Sequence, residues 1–204
     1  MTRTGGERRR HELIEEAIRH FGRDGYHGTS LDQVATAAGI RKQTLLYYFP
    51  TKDALLEASL SAAGTRLVEA INDALAGADD STGRAEAVIH AVFRLAQEWP
   101  EFPMFVREAG RVGPEAFERF AAVLEPLRIR AMAFLQGGMD EGTIRKQDPA
   151  LLLFTLYTAV IGSLTEASVL RAVVGAQKGR ASLHRREREV VSFVLSALAP
   201  PAEA

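Results

Sequence analysis

The chain contains no cysteine. That excludes disulfides, thiol nucleophiles and cysteine-ligated metal, and it fits a reducing compartment. It has no excess of either charge: 25 Lys and Arg stand against 26 Asp and Glu, for a net charge of −1, so bulk electrostatics select no partner. No glycine-rich phosphate loop, no G-x-S-x-G elbow and no histidine pair at metal spacing occurs, so neither catalysis nor a cofactor is expected. His11 with Glu15 and Glu16 with His20 stand four residues apart. Pairing across one helix face accounts for them without a metal, since no third ligand is in view. The N-terminus lacks the apolar run and small-residue cleavage site of a signal peptide, and a cytoplasmic location is the expectation. The longest uncharged stretch, Pro149–Thr165, is interrupted by Thr155, Thr158 and Ser163 and has no flanking aromatic belt. It reads as a helix buried on several faces rather than a membrane span.

What the sequence does have is helical periodicity along almost its whole length. Its 204 residues, 47% hydrophobic, suffice for one large domain or two small ones. Leu13, Ile14, Ala17, Ile18 and Phe21 follow one face of a helix from about Arg8 to Asp24. Arg3, Arg8, Arg9 and Arg10 at its start read as a basic, solvated arm, the alternative being an arm that touches phosphate or enters the minor groove beside a main site. After Lys52 a helix runs to Leu75, interrupted by Gly64, and a loop covers Ala76 to Gly83 with Ser81 or Thr82 capping the next helix. That helix ends at Pro100. A piece from Glu101 to Val112 follows, then a long helix from Glu115 to Gln136, holding Pro126 and stopped by Gly137 and Gly138. Asp148 before Pro149 marks the start of a helix expected to run to Val174. The loop Gly175 to Ser182 leads to a last amphipathic helix ended by Pro200 and Pro201.

The stretch Ser30 to Ala58 is organised differently. Ser30 with Gln33 three residues on makes a capping box. Leu31, Val34, Ala35 and Ala38 share a face, and Gly39 stands where a left-handed residue ends a helix. A second short helix follows with Arg41, Lys42, Gln43 and Thr44 at its start and Tyr47 and Tyr48 near its end, Leu45 and Phe49 facing inward. Guanidinium, ammonium and amide groups on a helix's first turn suit the major groove of DNA, where Arg pairs with guanine and Gln with adenine. Tyr47, Tyr48 and Lys52 are placed to hold phosphates. A helical hairpin with a polar outer face is the structural alternative. Residues 1–53 carry a charge of +2 and the remainder −3, a small asymmetry in the direction DNA binding requires.

Residues 12–58 resemble the DNA-binding domain of the TetR/AcrR family of bacterial transcriptional regulators. The elements that carry the resemblance are Gly25 with Ser30, Ala35-Thr36-Ala37-Ala38-Gly39-Ile40, Thr44-Leu45, Tyr48-Phe49 and Lys52. Two positions depart from the pattern: Leu46 stands where many members carry a phosphate-contacting Tyr, and Arg41 where a small capping Ser is usual. The resemblance implies an all-α fold, with a helix-turn-helix domain over 1–53 and a ligand-binding and dimerisation domain over 54–204. It implies a homodimer joined through the two C-terminal helices, binding a palindromic double-stranded operator and released, as a repressor, by a small-molecule effector. It also places around a central pocket the helices that carry Phe93, Trp99, Phe102, Met104, Phe105, Phe117, Phe120 and Tyr157, with Gln97, Arg107, Arg128 and Thr158 as polar anchors. Taken singly, each of those aromatics also reads as core. The competing class is a helical interaction module of the same fold that answers to a protein partner or to no effector.

Overall fold

The structure is a computed structural model and describes residues 3–77, 80–175 and 179–200. Among them the chain forms ten α-helices and no strand. They are α1 (Arg3–Gly28), α2 (Leu31–Ala37), α3 (Lys42–Tyr48), α4 (Lys52–Leu75), α5 (Ser81–Glu98), α6 (Phe102–Val112), α7 (Pro114–Asp140), α8 (Pro149–Thr165), α9 (Ala167–Val174) and α10 (Gly179–Leu198). The all-α expectation holds.

Two compact units result: Met1–Arg66 with Trp99–Leu124, and Leu67–Glu98 with Glu125–Ala204. In the first, α1 packs along α6, and Phe21, Phe49, Phe102, Phe105 and Phe120 are fully buried. The two helices come close because Gly22 has no side chain: a Cβ there would lie 2.7 Å from the carbonyl oxygen of Glu101. Phe21 stacks on Phe105 with centroids 6.2 Å apart. Trp99 stacks on Phe102 at 5.4 Å and is covered by the Arg66 guanidinium 4.5 Å from its ring centre. In the second unit α10 packs on α5 and α8 around Ile89, Phe93, Leu135, Met139, Ile144, Leu152, Val190, Val194 and Leu198.

Several expected boundaries move, each for a visible reason. The basic residues expected in a solvated arm belong to α1. Arg8 and Arg9 both pair with Glu12, at 3.0 and 2.8 Å, and the Arg10 guanidinium lies 5.1 Å from the centre of the Phe49 ring. Helix α4 runs through Gly64 unbroken, because that glycine answers to packing: a Cβ would lie 2.8 Å from Val123 Cγ1. Gly138 likewise sits inside α7, against Ile144. At the start of α5 the Asp80 carboxylate accepts from the Gly83 amide at 2.6 Å. Asp148 caps α8 as expected, accepting from Ala150 and Leu151 at 2.8 and 3.0 Å. The single helix expected from Pro149 to Val174 is two helices: Glu166 leaves helical geometry at φ −88, ψ 55, and the axis turns by 81°. Among the described residues no single helix is long and apolar enough to cross a membrane. Parts of the loops expected at 76–83 and 175–182, residues 78–79 and 176–178, lie outside the described residues, as does Pro201.

Candidate nucleic-acid interface

The interface is built on α2 and α3 of the first unit. Ser30 is extended, its hydroxyl accepts from the Gln33 amide at 3.2 Å, and the Gln33 side chain accepts from the Ser30 amide at 2.7 Å. The capping box read in the sequence is therefore present, and two donors at the start of α2 are satisfied. At the far end Gly39 takes φ +67, a left-handed conformation in which only glycine is unstrained. The Gly39 and Ile40 amides close the turn onto the carbonyls of Thr36 and Ala35, at 3.0 and 2.9 Å. Val34 and Ala35 of α2 are buried with Leu45 of α3, which fixes the angle between the helices and leaves the other face of α3 to solvent.

At the start of α3 Arg41, Lys42, Gln43 and Thr44 are all exposed. Arg41 is the N-cap residue of α3 but makes no side-chain cap, as expected of an arginine in place of serine. Lys42 reaches back to Asp32 at 2.6 Å, an exposed pair worth little and easily exchanged for another anion. Tyr47 is 83% exposed and meets Tyr48 edge-on at 5.3 Å. A tyrosine held this far out of the core has its hydroxyl free to reach a phosphate. Leu46, lacking any hydroxyl, is half-buried.

Lys52, the first residue of α4, is half-buried with its ammonium 4.1 Å from the centre of the Tyr26 ring. Burial lowers its pKa, partly opposed by the neighbouring Asp53. Tyr26 donates its hydroxyl hydrogen to Asp53. Burial, with that bond and the charge of Asp53, raises its phenol to about 12, so it stays a neutral donor. Tyr26 stands out in sequence only as the residue after the Gly25 helix break, and nothing there ties it to Lys52.

The residues anticipated for an effector divide between the two units. In the first, Trp99, Phe102, Phe105 and Phe120 are buried in its core with Phe21, and Arg107 borders a surface cleft between the end of α1 and α6. The buried Trp99 indole N–H meets no acceptor. In the second, Phe93 is fully buried, Gln97 is half-buried, and Arg128 lies on the exterior with both its bonds to Glu125 at 2.6 Å. Tyr157 and Thr158 are on an exposed face of α8, where the Thr158 hydroxyl donates to the Thr155 carbonyl at 2.8 Å. Thr158 also borders an open, largely apolar groove of about 550 Å³ between α8, α9 and α10. Among the described residues no cluster of His, Asp and Glu could hold a metal.

Comparison with known proteins agrees with this geometry. Residues 13–59 match the family described as bacterial regulatory proteins, tetR family. The HTH-type transcriptional regulator RutR of Escherichia coli (strain K12) is 26% identical over 168 residues, 80% of this chain and 77% of that one. A second regulator, the biofilm operon icaADBC HTH-type negative transcriptional regulator IcaR of Staphylococcus aureus (strain Newman), is 39% identical over 49 residues, 24% of this chain and 26% of its own. Among solved structures, AibR in complex with isovaleryl coenzyme A and operator DNA has the same fold. Its TM-score is 0.75 at 19% identity, over 91% of this chain and 97% of that one. A capped α2, a left-handed Gly39 and an exposed α3 thus coincide with residues 13–59, the segment that matches the tetR family of bacterial regulatory proteins.

Proposed function

We propose that the chain is a homodimeric repressor that places α3 in the DNA major groove and leaves its palindromic operator when a small molecule binds. One observation carries the DNA reading: Arg41, Lys42, Gln43 and Thr44 are exposed together at the start of a short helix that the buried Leu45 anchors. In this reading Gln43 and Arg41 read base edges, while Ser30, Lys42, Thr44, Tyr47, Tyr48 and Lys52 hold the backbone. The functional division falls after residue 53, with DNA contacts before it and effector and dimer functions after it. The protein acts in the cytoplasm and no catalytic step is assigned to it. The negative regulator among the relatives supports repression.

Dimerisation is assigned to α8 and α10. Leu151 and Phe154 on α8 are 65% and 62% exposed and Phe193 on α10 is 55% exposed, more apolar surface than two helices of an isolated chain have reason to leave in water. Pairing the same face on two protomers buries it, and a twofold operator offers the two copies of α3 successive major grooves about 34 Å apart, one turn of duplex. The effector reading takes its support from the AibR complex, which holds a coenzyme A ester together with operator DNA. A ligand acts here only by binding the DNA-released form more tightly than the DNA-competent one.

The test is a fluorescence anisotropy titration with the DNA flanking the protein's own gene. Tighter binding to that DNA than to a scrambled duplex supports the reading, and equal binding overturns it. A thermal-shift screen of acyl-coenzyme A esters and other small metabolites tests the effector, which a screen without a single stabilising compound would remove.

A further inference from the structure

Helix α1 breaks at one residue. Gly25 takes φ +76, ψ 167, a conformation closed to side chains, and this frees the next amide from the helical ladder. The freed N–H of Tyr26 does not go to water. It donates to Oε1 of Glu108 on α6 at 2.7 Å, a charge-assisted bond across 82 positions of sequence. The fit is close, since a Cβ on Gly25 would lie 3.0 Å from the same carboxylate oxygen. Thr29 closes the other side of the break, its hydroxyl donating to the Gly25 carbonyl at 2.8 Å.

Tyr26 is thereby held from three directions. Its amide is fixed by Glu108, its ring stacks on the buried Phe21 at 5.8 Å, and its hydroxyl is fixed by Asp53. The Lys52 ammonium lies over the face of that ring, 4.1 Å from its centre. A lysine side chain is long and free to rotate, and its charge reaches a phosphate from one direction only if something restricts it. The aromatic face supplies that restriction while leaving the ammonium's remaining donors to another anion.

We propose that Tyr26 and Glu108 are positioning residues for Lys52, with Glu108 of α6 fixing the Tyr26 ring on which the ammonium rests in a phosphate-binding orientation. The inference rests on the DNA-binding reading and adds to it two residues that do not themselves touch DNA. It also gives α6 a direct hold on the DNA-contacting edge.

Two readouts test it, one of them independent of DNA. Reductive methylation of the full-length protein with a ¹³C label gives a dimethyl-Lys52 resonance, assigned by its loss in Lys52→Ala. Resting over the Tyr26 ring, it lies upfield of the other lysines. Tyr26→Leu and Glu108→Met return it to the position of a solvated lysine, whereas Glu108→Gln, which keeps an oxygen acceptor, leaves it upfield. An unshifted resonance in wild type, or an upfield one in Glu108→Met, overturns the proposal.

The second readout is the dependence of binding to a scrambled duplex on salt. Lys52→Ala lowers the slope of log K against log salt by about one. Tyr26→Leu and Glu108→Met lower it by a fraction of that and add nothing in the Lys52→Ala background, while Glu108→Gln retains the wild-type slope. Losses that add to that of Lys52→Ala overturn the proposal, as does a wild-type slope in Lys52→Ala. Wild-type protein that shows no salt-dependent binding sinks the DNA-binding reading, and the proposal with it, even if the resonance behaves as expected.

Discussion

Replacing Phe154 by lysine separates a dimer face from an ordinary exposed helix. Phe154 is 62% exposed on a single chain, so its substitution disturbs little of the protomer's own packing. Burying a whole phenylalanine side chain is worth about 1.5–3 kcal/mol, so covering the exposed part contributes about 1–2 kcal/mol. Twofold symmetry counts it twice, giving about 2–4 kcal/mol per dimer and a dissociation constant weakened by about 30- to 1000-fold. Lysine adds the cost of burying an ammonium without a partner, so alanine gives the lower end and lysine the upper. Sedimentation equilibrium measures the constant, and far-UV circular dichroism shows whether each protomer keeps its helices. The control is Phe93→Ala, which removes a fully buried ring and destabilises the protomer by about 3–5 kcal/mol. A dimer constant unchanged in Phe154→Lys, or a wild-type protein that is monomeric at any accessible concentration, refutes the assignment of this face.

Gly22→Ala drives a methyl group to 2.7 Å from the Glu101 carbonyl and lowers stability by about 1–3 kcal/mol in urea unfolding; an unchanged midpoint would show that α1 and α6 do not approach so closely. Ser30→Ala removes the side-chain acceptor at the start of α2 and costs about 1 kcal/mol, with Ser30→Asp recovering most of it. Asp24 is held at about 2, below its ordinary 3.8, chiefly by its hydrogen bond from Arg23, with His20 helping and burial opposing. Its folded-state value is depressed, so its contribution is present above about pH 4 and lost as pH falls through about 2. Melting temperatures of wild type and Asp24→Asn therefore converge toward pH 2, and a gap that stayed constant with pH would contradict this cause.

The helix-turn-helix is legible in the sequence because its signals are local. A serine three residues before a glutamine, a glycine at a left-handed turn and buried positions at helical spacing each act over a few residues, and Ser30, Gln33, Gly39 and Leu45 behave as read. The rest depends on distant contacts. Gly64 and Gly138 look like helix stops, but each is small because another side chain occupies the space, Val123 for one and Ile144 for the other. The break at Glu166 has no glycine or proline to announce it. The basic residues from Arg8 to Arg10 read as an arm because their partners, Glu12 one turn on and Phe49 in another helix, include one that only folding reveals. The anticipated aromatics were legible as buried, but periodicity gives no means of telling a wall of a cavity from a filled core. The Tyr26 and Glu108 bond joins residues 82 apart and left no local trace.

The most direct measurement compares wild type, Gln43→Ala and Lys52→Ala on the DNA flanking the gene and on a scrambled duplex of equal length. Base reading by α3 predicts that wild type prefers the flanking DNA, and that Gln43→Ala gives up about 1–3 kcal/mol of that preference. Lys52→Ala weakens both duplexes alike and keeps the preference. Equal loss on the two duplexes in Gln43→Ala, or no preference in wild type, would contradict the claim that this helix reads sequence.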